Sequence, residues 1–74
     1  MAEEVFKGVT VVGTSNESFS HAVNVGIERA QQTIRDLKWF EIKEQRGALR
    51  EGKIEYQVTM EVFFKLRHSD TGEE

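Results

Sequence analysis

The stretch IEYQVTMEVFFKLR, residues 54–67, alternates between two kinds of side chain over fourteen residues. Its even-numbered positions, from Ile54 to Leu66, are all apolar or aromatic, and its odd-numbered positions are polar or charged except Phe63. A period of two is typical of a β-strand that packs one face on a hydrophobic core. The pattern therefore predicts a strand over 54–67 whose even-numbered side faces the core.

The segment just before this strand has the composition of a hairpin turn. Residues 50–52 (REG) read as a three-residue loop, with Gly52 in the left-handed position that glycine adopts at little cost. A two-residue loop would pair even with odd positions and put the apolar sets of the two strands on opposite faces. With three residues, the loop joins 54–67 to a strand over 39–49. The predicted cross-strand pairs are Leu49 with Lys53, Gln45 with Gln57, and Trp39 with Phe63.

The preceding strand opens with Trp39, the lone tryptophan of the chain. Because Phe40 and Ile42 take the apolar even-numbered side, Trp39 is predicted to point away from the protein's own core. An indole buries roughly 150–250 Å² when it is packed, so an indole left exposed to solvent indicates a partner or a planar ligand. The same outward face is predicted to carry Glu41, Lys43, Gln45, Gln57 and Phe63.

Trp39 and Gln57 are predicted to lie far apart on that face. About six residues of strand separate them, which corresponds to roughly 20 Å at about 3.3 Å per residue. One small planar molecule cannot touch both side chains of a single chain. A site that uses both would have to form between subunits.

Apolar residues recur at three- and four-residue steps over 19–37, which predicts a helix of about five turns. Thr14 as N-cap and Glu17 three residues later form a capping box, and Ser15 is nearly as good a cap. Gly26 lowers helix propensity by about 1 kcal/mol relative to alanine. We therefore expect Gly26 to let another backbone approach the helix closely.

With a first strand over 5–12, these elements predict an α+β fold, a three-stranded antiparallel sheet wrapped on one helix in β-α-β-β order. The 74 residues are expected to form one domain, 1–74, with an ordered core over about 4–68 and an acidic tail over 69–74. A core this small usually relies on disulfides, metals or self-association. The chain has no cysteine, and its two histidines, His21 and His68, are too few for a zinc site of histidines alone. Self-association is the expected means of stabilisation.

The charge pattern argues against nucleic acid as a partner. Ten Lys and Arg face thirteen Asp and Glu, and the basic residues are interleaved with acidic ones rather than gathered in a patch. No charged segment followed by an apolar run opens the chain, and no apolar run reaches the roughly 20 residues that span a bilayer. The sequence favours a cytoplasmic protein with no membrane contact.

Five short segments, taken in this order and spacing in a cysteine-free chain of this length, resemble the dodecins, small flavin-binding proteins of bacteria and archaea. The match to the family extends over nearly all of the chain. They are residues 12–15 (VGTS), 29–30 (RA), 37–41 (LKWFE), 46–47 (RG) and 56–58 (YQV).

The resemblance implies a β-α-β-β subunit that assembles into a hollow homo-oligomer of twelve subunits. It implies that flavins such as FMN or riboflavin are held in stacked pairs between tryptophans of neighbouring subunits, for storage or protection. Trp39 is then expected to stack on the isoalloxazine ring, and Gln57 to hydrogen-bond its pyrimidine end. Arg46 is expected near the pocket mouth, where a guanidinium suits a flavin phosphate. Members of the family also hold coenzyme A, for which these residues assign no site.

Two other functions stay open on the residues alone. The chain could be a purely structural, shell-forming or interaction module in which Trp39 and Phe63 only join subunits. An enzyme is the weaker alternative, since no nucleophile and no Gly-rich phosphate loop is recognisable, and no catalytic residue is assigned. The outward carboxylates, Glu41, Glu55 and Glu61, lie among basic residues and are better explained by a salt-bridged interface than by acid–base catalysis.

Overall fold

The structure, a computed structural model, describes residues 3–67. The elements are β1 (Phe6–Ser15), α1 (Phe19–Thr33), β2 (Leu37–Arg50) and β3 (Lys53–Lys65). The strands form one antiparallel sheet in the order β1-β3-β2, which confirms the α+β, β-α-β-β prediction. None of the helical segments within 3–67 has the length and apolarity that crossing a membrane requires. His68 and the predicted acidic tail, 69–74, lie outside the described residues.

The strand with the clearest alternation, β3, lies at the centre of the sheet. Its even-numbered residues Val58, Met60 and Val62 are at most 1% exposed and face the helix, as predicted. A central strand has a ladder on each side and a helix over one face, so its side-chain period is enforced along its whole length. The ladder ends at Lys65 rather than at the predicted position 67, and the N–H of Leu66 instead bonds the carbonyl of Val5.

The helix approaches the sheet through two glycines. A Cβ on Gly26 would lie 3.3 Å from the Cα of Gly13 in β1, and a Cβ on Gly13 would lie 3.2 Å from the Cα of Gly26. A Cβ on Gly13 would also clash with the backbone oxygen of Ala22. The predicted role of Gly26 is therefore confirmed, because α1 and β1 pack backbone to backbone at this crossing.

The predicted N-cap and the predicted C-terminal end of the helix are each wrong by about one turn. The N-cap is Ser18, whose side chain accepts a hydrogen bond from the His21 N–H at 3.0 Å. Thr14 and Ser15 cannot cap because they still belong to β1, paired with β3. At the other end Ile34 has the extended backbone φ −115, ψ 123, so the helix stops before Leu37. Leu37 instead opens β2.

The hairpin reaches the predicted pairing of Trp39 with Phe63 by a different route. The turn has two residues, Glu51 and Gly52, both with positive φ (53 and 78), and it sets Leu49 opposite Ile54 rather than Lys53. Near the turn, even positions therefore pair with odd ones, and Arg46 rather than Gln45 lies opposite Gln57. A register shift between Ile42 and Glu44 adds one residue to β2 and restores even-to-even pairing beyond it. The predicted three-residue loop is wrong. The even-to-even pairing that it was expected to produce comes instead from a β-bulge in β2.

The helix leaves the apolar side of β2 uncovered, since α1 packs on β1 and β3. Phe40 and Ile42 lie on the helix side of β2, opposite Val62 and Met60, yet they are 42% and 47% exposed. Nearer the turn, Leu49 and Ile54 pair with each other and are also exposed. The subunit therefore carries an uncovered apolar surface, made up of Phe40, Ile42, Leu49 and Ile54.

Gly13→Ala is expected to lower the free energy of unfolding by roughly 2–3 kcal/mol, because the added methyl group meets helix backbone that cannot rotate away. Gly47→Ala is the matched control, since its Cβ would make only ordinary van der Waals contacts, with Ile54 Cγ2 at 3.8 Å and the Glu55 carbonyl oxygen at 4.0 Å. Urea unfolding at one fixed protein concentration measures both variants. Equal stability of the two variants would contradict the close crossing of α1 and β1.

Candidate functional site

Three aromatic rings meet on the sheet face that points away from the helix. The indole of Trp39 stacks on Phe63 with ring centroids 4.7 Å apart and planes 12° apart. Phe6 of β1 meets the indole at 5.0 Å and 66°, an edge-to-face contact. Trp39 is nevertheless 42% exposed. The prediction that this indole points away from the core is confirmed, and the ring keeps a large open surface.

A second, polar group lies on the same face towards the hairpin turn. Arg46 and Gln57 are directly opposite each other in the ladder, and Arg46 Nε donates to Gln57 Oε1 at 2.6 Å. Gln57 Nε2 in turn donates to Glu55 Oε1 at 3.0 Å. Glu55 also pairs with Arg50, at 3.4 Å. The Gln57 amide is thus held with its oxygen towards a guanidinium and its nitrogen towards a carboxylate.

Between these two groups, the bulge residue Lys43 neutralises two carboxylates. Glu41 and Glu61 lie directly opposite each other in the ladder, an arrangement that is unfavourable for like charges. Lys43 Nζ lies 3.1 Å from Glu41 Oε1 and 3.8 Å from Glu61 Oε1. Its hydrogen bond to Glu41 and the charges of both carboxylates hold the pKa of Lys43 above its ordinary value of 10.5. The ammonium is therefore charged throughout the neutral range, and Glu41 and Glu61 are ion-paired within the subunit.

The structure brings two of the three predicted site residues together and leaves the third apart. Arg46 contacts Gln57, whereas Trp39 lies opposite Phe63, six positions along β3 from Gln57. At about 3.3 Å per residue this separation is roughly 20 Å. Gln45, predicted to share the outward face, instead lies opposite Val58 on the helix side.

One serine–histidine pair is close enough to invite a catalytic interpretation. Ser15 Oγ and His21 Nδ1 lie 2.7 Å apart, and Glu17 Oε1 lies 3.9 Å from the same nitrogen. Ser15 is 9% exposed, and its oxygen also accepts from the Glu17 N–H at 2.9 Å. This pair closes the turn between β1 and α1, so the buried hydroxyl has a structural use. The His21 side chain is 46% exposed, and its ring nitrogen is tied to that turn.

Phe6 and Glu55 complete the two groups, and neither was assigned to the site from the sequence. Phe6 reaches Trp39 only because β1 pairs with β3, and nothing in the local pattern specifies that pairing. The sequence predicts Glu55 only as part of a salt-bridged interface, whereas it accepts from Gln57 and pairs with Arg50. The signal for Glu55 was its position two residues before Gln57, since such residues share a strand face.

The chain belongs to the dodecin family. A family model described as Dodecin matches residues 5–67. A dodecin of Thermus thermophilus is 45% identical over 67 residues, covering 89% of this chain and 97% of that protein. The solved dodecin from Streptomyces davaonensis has a TM-score of 0.84 and 43% identity, covering 90% of this chain and all (100%) of that chain. The resemblance read from five short segments is thereby confirmed.

A further relative is named for a metal ion. It is the calcium dodecin of Mycobacterium tuberculosis, 34% identical over 64 residues, covering 85% of this chain and 90% of that protein. Its solved structure, at a TM-score of 0.78 and 35% identity over 88% of this chain and 94% of that chain, is described as having a calcium-binding site. Among residues 3–67 of this protein, no three His, Cys, Asp or Glu side chains are grouped so that they could hold a metal ion. Calcium binding is a property stated for that relative.

Proposed function

We propose that this protein is a non-enzymatic flavin store, which stacks FMN or riboflavin between subunits of a hollow homo-oligomer and so sequesters and protects it. The observation that carries the proposal is Trp39, an indole 42% exposed on the outward sheet face of a dodecin-family chain. An indole is an electron-rich plane and an oxidised flavin an electron-poor one. Stacking of this kind is worth about 1–3 kcal/mol for nucleic-acid bases on aromatic side chains.

The polar group around Gln57 and Arg46 offers hydrogen-bonding partners for the polar end of a flavin. A primary amide offers both a donor and an acceptor, which matches the uracil-like edge of the isoalloxazine ring. With Gln57 Oε1 already bonded to Arg46 and Nε2 to Glu55, the amide has a fixed orientation. One N–H and one lone pair are left over for a ligand. The Arg46 guanidinium adds a positive charge beside this edge, suited to the phosphate of FMN.

The distance between Trp39 and Gln57 requires two copies of the chain. Six positions of β3 separate Gln57 from the residue opposite Trp39, and roughly 20 Å is longer than a tricyclic ring. A flavin that stacks on the indole of one subunit therefore meets the amide of another. The flavin-binding slot, formed by Trp39 of one subunit and Gln57 of another, therefore exists only in the oligomer.

The uncovered apolar surface supports such an oligomer. Phe40, Ile42, Leu49 and Ile54 are each more than 40% exposed, although they lie on the side of the sheet that should be buried. A chain of this size gains most from covering that surface with a second copy. We infer that twelve copies assemble, as the family resemblance implies, into a cytoplasmic particle of about 100 kDa, given a chain mass of 8.5 kDa.

A purely structural shell is the alternative function, and one observation favours it. The stacked pair of Trp39 and Phe63 is the kind of apolar, partly exposed patch that joins subunits. In that case replacing Trp39 would break the particle, whereas in a flavin store it would empty the slot and leave the particle assembled.

Trp39→Ala is expected to weaken riboflavin binding by roughly fivefold to more than a hundredfold, because the stacking surface is lost. Titration of riboflavin with protein, followed by quenching of the flavin fluorescence, measures the dissociation constant. Light scattering on the same samples reports the particle mass. Unquenched emission with wild-type protein would contradict flavin binding, and a variant that falls into monomers would favour the structural shell.

Gln57→Ala is expected to weaken riboflavin binding by roughly two- to tenfold, the range of a typical hydrogen bond. Gln45→Ala is the matched control, since Gln45 lies opposite Val58 on the other sheet face. Both variants go through the same fluorescence titration. If the two lose the same affinity, the amide of Gln57 has no special part in the slot.

Arg46→Ala is expected to reduce affinity for FMN at least about fivefold more than affinity for riboflavin, because only FMN carries a phosphate for charge-assisted bonds. Arg50→Ala is the control, an exposed arginine of the same strand whose side chain pairs with Glu55. Isothermal titration with both ligands separates the phosphate effect from any change in the Gln57 amide. An equal loss for the two flavins would place Arg46 away from the phosphate.

A further inference from the structure

We infer that Phe63 is a positioning residue for Trp39, which covers one face of the indole and so leaves a single face for a planar ligand. The inference rests on the proposed flavin site and names a residue of that site with a role of its own. The ring contacts that support this role lie within a single subunit.

The phenyl rings of Phe63 and Phe6 both contact the indole of Trp39. Phe63 lies parallel to Trp39, 12° between planes and 4.7 Å between centroids, so it covers one of the two faces. Phe6 meets the indole at 66°, an edge-to-face contact rather than a parallel stack. Since Trp39 is still 42% exposed, the face opposite Phe63 is the surface on which a flavin can stack.

A glycine on β1 makes room for the Phe63 ring. Gly8 lies directly opposite Phe63 in the ladder. A Cβ on Gly8 would come within 2.7 Å of Phe63 Cε2 and within 2.7 Å of Glu61 Oε2. The carboxylate lies at the end of a flexible side chain and can turn away, whereas the phenyl ring would have to shift as a whole. The position of Phe63 beside Trp39 therefore depends on the missing side chain at Gly8.

Covering one face has a consequence for affinity. A half-exposed indole on an edge strand can adopt more than one rotamer, and a ligand that stacks on it must select one. Phe63 and Phe6 hold the ring in one orientation before the ligand arrives, so less freedom is lost on binding. Phe63 would thus raise flavin affinity without touching the flavin.

Phe63→Leu, which keeps apolar volume but removes the plane, is the decisive variant, and Phe63→Tyr restores the plane. The matched control is Phe64→Leu, the same substitution one residue along β3 and therefore on the helix side. Trp39 is the lone tryptophan, so acrylamide quenching of its fluorescence in flavin-free protein reports indole exposure alone. Riboflavin titration gives the dissociation constant, and light scattering verifies that each variant is assembled.

The inference predicts that Phe63→Leu increases acrylamide quenching and weakens riboflavin binding roughly three- to tenfold, in line with the strength of an aromatic pair. Phe63→Tyr and Phe64→Leu should both stay within about twofold of wild type. Riboflavin binding by Phe63→Leu that equals or exceeds wild type, while Trp39→Ala abolishes it, would overturn this role and leave the flavin site standing. Riboflavin binding that survives Trp39→Ala would overturn the flavin site itself, and this inference with it.

Gly8→Ala gives a second route that leaves all three aromatic residues in place. It should weaken riboflavin binding in the wild-type background, because the added methyl group displaces the Phe63 ring. In the Phe63→Leu background the same change should have little further effect, since the two positions act as one unit. Additive losses would contradict a shared action of Gly8 and Phe63 on Trp39.

Discussion

The short helix and its close approach to the sheet set what the rest of the subunit must do. Gly13 and Gly26 let α1 lie backbone to backbone on β1, and from there its 15 residues reach β3 but leave β2 uncovered. The core is therefore narrow, with Val58, Met60 and Val62 fully covered and Phe40 and Ile42 exposed on the same side of the sheet. In the proposed oligomer, another copy would cover β2 and add stability that this narrow core does not supply. The packing of one helix would then make assembly a part of folding.

Much of the fold could be predicted because β3 is central and strictly alternating. Its period identified the buried face and, with Phe40 and Ile42, the outward direction of Trp39. The requirement that the apolar side chains of the two hairpin strands lie on one face of the sheet was also correct. The predicted position of the extra residue was wrong, since that residue is Lys43 in a bulge of β2 and not a third residue of the turn. A bulge is selected by tertiary and electrostatic context, here two opposed carboxylates that need a cation, and no local turn signal reports it.

The candidate site was predictable to the same extent and for the same reason. The predicted pairing of Trp39 with Phe63 was counted from a three-residue loop, and it is correct only because the bulge at Lys43 supplies the residue that the turn lacks. The family resemblance added Gln57 and Arg46. The contact of Arg46 with Gln57 was missed because the wrong loop length placed Gln45 there instead. Phe6 could not be found at all, since its contact with Trp39 depends on the pairing of β1 with β3. The predicted N-cap was wrong for another reason. Thr14 and Ser15 have side chains suited to capping a helix, but both residues are paired with β3 in the β1 ladder.

The outward face divides its chemistry along the hairpin, and the division has a physical logic. At one end two phenyl rings contact the partly exposed indole of Trp39, and at the other an amide is held between a guanidinium and a carboxylate. Lys43 and its two glutamates lie between them and keep the middle of the face polar and solvated. In the proposed flavin store, a single subunit would present half of a flavin slot at each end, and neither half would be sufficient. Assembly that covers the exposed side of β2 can join the two kinds of half, which would link ligand binding to the same contacts that complete the core.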